Sequence, residues 1–257
     1  MKNIGIIGSG VVAKTLANGF IKYGYPVMIG TRDTSKLKEW QEQVGTIGKV
    51  GSFEETGKFG DIIVLAVKGT AVKNALELTG RNNLKGKTII DTTNPIADAA
   101  PDNGVLKFFT NINKSLMEEL QLDFPEANFV KAFNIVGSMF MVDPDFNGQK
   151  PTMFICGNNN DSKNTVNDIL LQFGWEVEDI KKMKNPNMVV DFSLLKKFQE
   201  DLDAMDHAIV LSSKDPLFDD LEDKHKQKVV VMPFDLDPTA ENMAYLFANQ
   251  INYMCIN

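Results

Sequence analysis

The strongest constraint on this chain is a glycine turn that joins an apolar run to a helix near its start. Residues 3–7 form the apolar run, residues 8–10 (GSG) the predicted turn, and residues 11–23 place apolar side chains at helical spacing. In residues 8–13 (GSGVVA) the glycines allow a tight turn and close approach of the backbone, and Ala13 allows the helix to pack closely on the strand. The pattern predicts a diphosphate-binding loop at a helix N-terminus, with a plain strand–turn–helix connection as the alternative.

Apolar runs and helical patterns alternate through the first two-thirds of the chain. Further strands are predicted at 27–29, 49–51, 61–67, 88–91, 129–133 and 152–156. Helices are predicted at 35–44, 70–78, 114–120 and 162–173, and Ser52 with Glu55 indicates a capping box for a short additional helix. Strands that alternate with helices form parallel sheets with right-handed crossovers. The sequence therefore predicts an α/β fold of the Rossmann type, with a doubly wound, mainly parallel sheet, over residues 1–182.

The residues after the second predicted strand indicate which dinucleotide binds. Enzymes that use NAD usually have Asp or Glu here to bind the ribose hydroxyls, whereas this chain has Thr31 and Arg32, with Lys36 one helical turn later. The planar fork of Arg32 suits a 2′-phosphate, Lys36 adds a second positive charge, and Thr31 adds a hydroxyl donor. Asp33 could serve a ribose, but we favour capping of the following helix as its role. We expect NADP(H), with surface cations that hold no ligand as the alternative.

Composition and charge argue against several other classes of protein. Hydrophobic residues make up 43% and charged residues 24% of the 257 residues, as in globular proteins. The formal net charge is −7 without a block of Lys and Arg, so nucleic acid is not an expected partner. No run approaches the ~20 apolar residues of a membrane span, and the first apolar run is too short for a signal peptide. We therefore expect a cytoplasmic location and no membrane partner.

Six segments of residues 1–181 resemble the coenzyme F-420-dependent NADP oxidoreductase family. They are GIIGSGVVAKTLA, IGTRDTSK, IVLAVKG, IIDTTNPI, FVKAFNIVG and FICGNNNDSK, and they occur in the order found in the family. The same segments are similar to the cytosolic domain of the six-transmembrane metalloreductases. The resemblance implies NADP(H) as cofactor and hydride transfer between NADPH and a flavin-like heterocycle. The helical tail that follows in the family is not matched, because this chain continues with IKKMKNP at residues 180–186.

The implied cofactor-binding residues follow the predicted strands. They are Gly8, Ser9, Gly10, Val11 and Val12 in the glycine loop, Thr31, Arg32 and Lys36 after the second strand, and Ala66, Val67, Lys68, Asn94, Pro95, Ala132 and Asn134 after later strands. By the resemblance, the last four of these would lie near the nicotinamide. Asn94 and Asn134 could bind the nicotinamide amide or a substrate carbonyl, with local hydrogen bonds in their loops as the alternative.

The segment from about residue 187 resembles a different family. NMVVDFSLLKKF, AMDHAIVLSSKDPLF and VVVMPFDLDPTAENMAYLF are similar to the second half of the 6-pyruvoyl- and 6-carboxy-tetrahydropterin synthases. In that family an Asp-His pair, here Asp206 and His207, serves in proton transfer, which makes these two residues the candidates for catalysis. A structural or solvated pair is the favoured alternative. The chain has only 2 histidines, too few for the three-histidine zinc site of that family, so we expect no metal and no synthase activity.

Together these patterns predict two parts and one main function. Residues 1–182 form the NADP(H)-binding domain and residues 183–257 a small, partial α+β segment. The expected function is that of an NADPH-dependent oxidoreductase, with a flavin-, deazaflavin- or pterin-like acceptor as its small-molecule partner. The alternatives are an NADP(H)-binding module without turnover, and a pterin-binding or synthase-like protein with an auxiliary Rossmann domain. A homodimer is also expected from the family resemblance.

Overall fold

The computed structural model describes residues 2–99, 108–110, 115–146 and 150–179. These residues form one eight-stranded sheet with the strand order β3-β2-β1-β4-β5-β6-β7-β8. The strands are β1 Ile4–Ile7, β2 Val27–Gly30, β3 Gly48–Gly51, β4 Ile62–Leu65, β5 Thr88–Asp91, β6 Asn128–Lys131, β7 Thr152–Gly157 and β8 Glu176–Asp179. Every neighbouring pair is parallel except β6 and β7, which are antiparallel. This is the predicted Rossmann-type α/β fold.

Seven α-helices connect or flank the strands in the described part of the chain. They are α1 Val11–Lys22, α2 Lys38–Val44, α3 Phe53–Phe59, α4 Val72–Thr79, α5 Arg81–Leu84, α6 Leu116–Asp123 and α7 Asn160–Gln172. Short 3-10 turns at Thr34–Leu37 and Gly69–Ala71 precede α2 and α4, and a third lies at Ser138–Phe140. The predicted capping box is present at the start of α3, where Ser52 accepts from the backbone N–H of Glu55 and the Glu55 carboxylate accepts from that of Ser52.

Both faces of the sheet are buried, because alternate residues of the central strands enter two different cores. In β4, Ile62 and Val64 belong to one core and Ile63 and Leu65 to the other, and all four side chains are buried. Helices α1 and α7 cover the first core, while α4 and α6 cover the second. Continuous apolar strands are what a parallel sheet needs when helices lie on both of its faces. The apolar run of β4 is therefore the clearest strand pattern in the sequence.

Several predicted boundaries differ from the structure. The helix predicted over 35–44 begins as a 3-10 turn over Thr34–Leu37, where the Asp33 side chain accepts from the backbone N–H of Ser35. The strand predicted over 61–67 ends at Leu65, so Ala66 and Val67 belong to the following loop. β8 was not predicted, because its sequence EVED carries no apolar pattern and none of its side chains is fully buried. The predicted α+β segment over 183–257 lies outside the described residues.

Candidate cofactor site

A cavity of about 640 Å³ opens at the carboxyl ends of the strands, where the direction of chain progression across the sheet reverses between β1 and β4. Doubly wound sheets bind their ligands at such a crevice. Twelve of the fifteen residues predicted to bind the cofactor line it: Gly8, Ser9, Gly10, Val11, Val12, Thr31, Arg32, Lys36, Ala66, Val67, Lys68 and Asn94. The fold thus brings together residues that come from the ends of four different strands.

The glycine loop has two glycines with different roles. Gly8 adopts a φ of 129°, and a Cβ added there would lie 2.1 Å from the carbonyl oxygen of Ala66, so the tight turn itself requires glycine. A Cβ added at Gly10 would have no neighbour within 4 Å, although Gly10 lines the cavity. Gly10 is also the N-cap of α1, and no side chain caps that helix. The open space beside Gly10 and the uncapped N–H groups of α1 fit a diphosphate.

The residues after β2 place two positive charges on the same cavity. Arg32 and Lys36 are exposed, and neither forms an ion pair with another described residue. The Asp33 carboxylate accepts hydrogen bonds from the hydroxyl of Ser35 at 2.6 Å and from its backbone N–H at 3.1 Å, which lowers the pKa of Asp33. Asp33 therefore caps the following turn, as predicted, although it also lines the cavity. The Thr31 hydroxyl lies 3.3 Å from that of Ser9 and so joins the β2 end to the glycine loop.

A polar bridge joins the loops after β4 and β5 across the rim of the cavity. The Asp98 carboxylate accepts from the Thr70 hydroxyl at 2.8 Å and from the Lys68 ammonium at 3.2 Å. Both interactions lower the pKa of Asp98, and the hydrogen bond from Thr70 has the larger effect. Lys68 was predicted as a site residue, but its partner Asp98 was not, because candidates were predicted only directly after each strand and Asp98 lies further along the loop after β5.

Two asparagines meet near the ends of β5 and β6. The Asn94 side chain donates to the backbone carbonyl of Asn134 at 2.8 Å, and the Asn134 amide donates to Asn94 Oδ1 at 3.3 Å. Asn134 Oδ1 is buried and has no hydrogen-bond partner among the described residues. Asn94 lines the cavity and contacts Asn134, so the local loop bonds that were the alternative are present together with an unused acceptor on Asn134.

Three of the predicted site residues do not line the cavity: Pro95, Ala132 and Asn134. Ala132 is fully buried and Pro95 is also buried, so these two lie behind the cavity wall. Their prediction followed the resemblance and the strand ends, which identify a loop but not the direction of each side chain. Asn134 is only half-buried and contacts the cavity residue Asn94.

A buried ion pair beneath the asparagines was not predicted. Asp91 ends β5, Lys131 ends β6, and their side chains are 0% and 1% exposed. Lys131 Nζ lies 2.9 Å from Asp91 Oδ2. The sequence offered one signal, because each of these two apolar strands ends in a charged residue. The two residues occupy paired positions in the sheet. Recognising the pair requires the strand register, which the sequence pattern does not give.

Other lining residues were missed as candidates for the site. They are Phe53, Gly69, Ala71, Asn74, Ala75, Ile96, Ala97 and Asp98. Asp33, which could serve a ribose, and Thr92 and Thr93, which directly follow the strand predicted at 88–91, also line the cavity. The missed residues between 69 and 75 lie in the 3-10 turn and the start of α4, slightly further along the chain after β4 than the residues that were predicted. Phe53 comes from the start of α3, and no local pattern indicates that it reaches the cavity. The weak catalytic candidates Asp206 and His207 lie outside the described residues.

Two further observations concern metals and membranes. Among the described residues, no group of three or more His, Cys, Asp or Glu side chains is arranged to hold a metal ion. In the same part of the chain, no helix has the length and apolar character needed to cross a bilayer.

Two family models match different parts of the chain. Residues 3–95 match the family described as NADP oxidoreductase, coenzyme F420-dependent, and residues 172–255 match 6-pyruvoyl tetrahydropterin synthase. Both resemblances stated from the sequence are confirmed, and NADP is the cofactor named for the first family. The second match begins at the last residue of α7 and includes β8.

The curated relatives are metalloreductases of which this chain matches one part. Metalloreductase STEAP3 of Rattus norvegicus is 25% identical over 186 residues, which cover 72% of this chain and 35% of the relative. Metalloreductase STEAP2 of Homo sapiens is 26% identical over 191 residues, which cover 74% of this chain and 36% of the relative. The chain therefore spans about a third of the length of these relatives.

Solved structures share the fold. A protein provisionally designated an F420-dependent NADP-reductase, from Arthrobacter sp. FB24, superposes with a TM-score of 0.67 at 24% identity, covering 92% of this chain and 100% of that one. A reductive aminase from Aspergillus terreus, solved with NADPH4, cyclohexanone and allyl amine, gives a TM-score of 0.53 at 15% identity, covering 77% and 61% of the two chains. The amino-terminal part of this chain is thus similar in sequence to F420-dependent NADP oxidoreductases and has a Rossmann-type fold that such reductases share.

Proposed function

We propose that this protein is an NADPH-dependent oxidoreductase that transfers hydride between NADP(H) and a flavin-, deazaflavin- or pterin-like acceptor. The observation that carries the proposal is the placement of Arg32 and Lys36 on the same cavity as the glycine loop. Neither side chain forms an ion pair within the described residues, although Lys36 is close enough to Asp33 to help lower its pKa. A guanidinium and an ammonium beside a diphosphate loop fit a ligand that carries a phosphate on its adenosine ribose.

The lining residues divide between the parts of such a cofactor. Arg32, Lys36 and the hydroxyl of Thr31 would hold the 2′-phosphate. The backbone of Gly10 and the first N–H groups of α1 would hold the diphosphate, where no side chain fills the space. Asn94 and Asn134 would hold the nicotinamide, whose carboxamide matches the donors and acceptors of two side-chain amides. Since β5 lies three strands away from β2 in the sheet, the two ends of an extended dinucleotide can be held separately.

The proposed chemistry needs no nucleophile from the protein. When bound, NADPH supplies a hydride, which is two electrons and one proton, and the acceptor takes any further proton from solvent. The chain's own contribution is to bind and orient the two reactants, so the absence of a histidine from the described residues does not conflict with the proposal. A planar heterocycle is supported as acceptor by the description of the first matched family, and a pterin by the second match at 172–255.

Direct titration tests the cofactor part of the proposal. We expect the full chain to bind NADPH more tightly than NADH, as followed by nicotinamide fluorescence. Arg32→Ala should weaken NADPH binding by about 10- to 100-fold and leave NADH binding unchanged, because a charge-assisted hydrogen bond contributes about 1.5–3 kcal/mol. Lys38→Ala is the matched control, since Lys38 is an exposed cation close to Lys36 that does not line the cavity. Equal affinity of the unmodified protein for the two nucleotides would contradict the proposal.

Turnover separates an enzyme from a binding module. NADPH oxidation is followed at 340 nm (roughly the reduced nicotinamide band) with flavin, deazaflavin and dihydropterin acceptors in turn. A ferric chelate is added to the panel because the curated relatives are named metalloreductases. We expect turnover with at least one heterocycle, and it should be lost in Arg32→Ala at limiting NADPH. Tight NADPH binding without turnover on any acceptor would favour the binding module.

A further inference from the structure

The Asp91–Lys131 ion pair lies directly below the cavity and is closed off from solvent. Asp91 and Lys131 face each other in the parallel register of β5 and β6, at the last residue of each strand. Burial of two charges carries a large desolvation penalty, and a pair of apolar residues of similar volume is often equally or more stable. An ion pair at this position therefore calls for an explanation other than stability of the sheet.

The hydrogen bonds of the pair lead to one residue, Thr93, whose two peptide groups they hold from both sides. Lys131 Nζ donates to the backbone carbonyl of Thr93 at 2.5 Å as well as to Asp91. Asp91 Oδ1 accepts from the backbone N–H of Thr93 at 2.9 Å and from its hydroxyl at 2.7 Å. The carbonyl of Thr93 belongs to the peptide that joins it to Asn94. Both charged groups thus fix the backbone immediately before the asparagine that lines the cavity.

The backbone between Lys131 and Asn134 is also held in a fixed conformation. Phe133 is fully buried and adopts a φ of 65°, a left-handed conformation that is strained for a side chain of this size. Its backbone N–H donates to Met153 Sδ at 3.3 Å. The reversal at Phe133 directs the chain into Asn134, whose backbone carbonyl accepts from Asn94. Strained backbone of this kind persists where the surroundings enforce it, often at ligand sites.

We propose that the Asp91–Lys131 pair positions Asn94, with Asn134 as its support, to bind the carboxamide of the nicotinamide ring. Asn94 lines the cavity and takes the carboxamide, and Asn134 holds the Asn94 side chain in place through its backbone carbonyl and its side-chain amide. Asp91 and Lys131 act through Thr93 and are positioning residues that do not touch the ligand. The inference rests on the proposed binding of NADP(H). It adds the residues that position the binding site for the nicotinamide half of the cofactor.

The test compares a whole cofactor with its adenosine half. The double variant Asp91→Asn/Lys131→Met removes both charges together and keeps an acceptor for Thr93. The probes are NADPH, followed by its fluorescence, and 2′,5′-ADP, which carries the adenosine and its 2′-phosphate but no nicotinamide. We expect the Kd for NADPH to rise about tenfold and its fluorescence gain on binding to fall, with the Kd for 2′,5′-ADP changed less than about twofold.

A matched control is Lys163→Met. Lys163 is another buried lysine, paired with Asp179 at 2.7 Å in a contact between α7 and β8, and neither residue lines the cavity. It should leave the affinities for both probes unchanged. If the double variant does not fold, Asp91→Glu, which keeps both charges and displaces the carboxylate by one methylene, should show the same selective loss, by about threefold.

Three results separate the outcomes. Unchanged binding of both probes by the folded variant would overturn the positioning role, and so would an equal loss for both, since that is the expectation for a purely structural pair. Failure of the unmodified protein to bind either probe would instead overturn the proposed NADP(H) function itself. The inference stands only if the loss is confined to the nicotinamide half.

Discussion

Arg32 and Lys36 on one side of the cavity and Asn94 and Asn134 on the other are held in different ways. The first pair, the cationic end, lies exposed on a short surface turn after β2, and its geometry depends on a cap within the same turn. The second pair, the amide end, lies above a buried ion pair between residues 40 positions apart. The cationic end can therefore change without disturbing the core, whereas the amide end is tied to the sheet. Substitutions at the cationic end should therefore change cofactor affinity alone, whereas substitutions beneath the amide end should also change the stability of the fold.

The largest expected effect is on the amide end. Lys131→Met leaves the Asp91 carboxylate buried without its counter-charge and should lower the free energy of unfolding by about 3–5 kcal/mol. Arg32→Ala should change it by less than about 0.5 kcal/mol, because its exposed side chain makes no ion pair with a described residue. Urea unfolding of both variants measures the contrast. Similar losses in the two variants would remove the distinction between the two ends.

The glycine loop between the two ends should show the same contrast within three residues. Gly8→Ala places a Cβ 2.1 Å from the Ala66 carbonyl at a φ of 129° and should destabilise the fold by about 3 kcal/mol. Gly10→Ala meets no atom within 4 Å and has an ordinary φ of −79°, so thermal unfolding should change little. NADPH binding should nevertheless weaken in Gly10→Ala, because the methyl group enters the space assigned to the diphosphate. Normal NADPH affinity in a folded Gly10→Ala variant would contradict that assignment.

The smallest expected effect concerns the bridge between Asp98, Lys68 and Thr70. The pKa of Asp98 is lowered from its ordinary 3.8 in the folded protein, so its contribution to stability is present above that pH and is lost as the pH falls further. Asp98→Asn should lower the Tm by no more than about 2 °C at pH 7, because the bridge is exposed, and the difference should vanish as the pH falls through the lowered pKa of Asp98. Thermal unfolding across this pH range measures it. A difference that grows toward acid pH would show that another group is responsible.

Sequence patterns predicted most of the sheet and twelve lining residues of the cavity. The strand ends were informative because carboxyl ends of parallel strands meet at one edge, so residues after each apolar run converge. Ala132 and Pro95, which were predicted in the same way, are buried and do not line the cavity. The prediction from strand ends also missed Phe53 and Asp98, which reach the cavity from a helix start and from a distant part of a loop. The polar edge strand β8 gave no apolar pattern from which to predict it.

The sequence by itself determined the glycine loop, the cap at Asp33 and the pair of cations after β2, because each depends on residues within a few positions of one another. The tertiary structure decided which distant residues meet. Asp91 pairs with Lys131 only because β5 and β6 are adjacent and in register, and Asn94 reaches Asn134 through the same pairing. Local propensity and spacing carry no information on that register. It is set by the packing of two apolar strands between helices on both faces of the sheet.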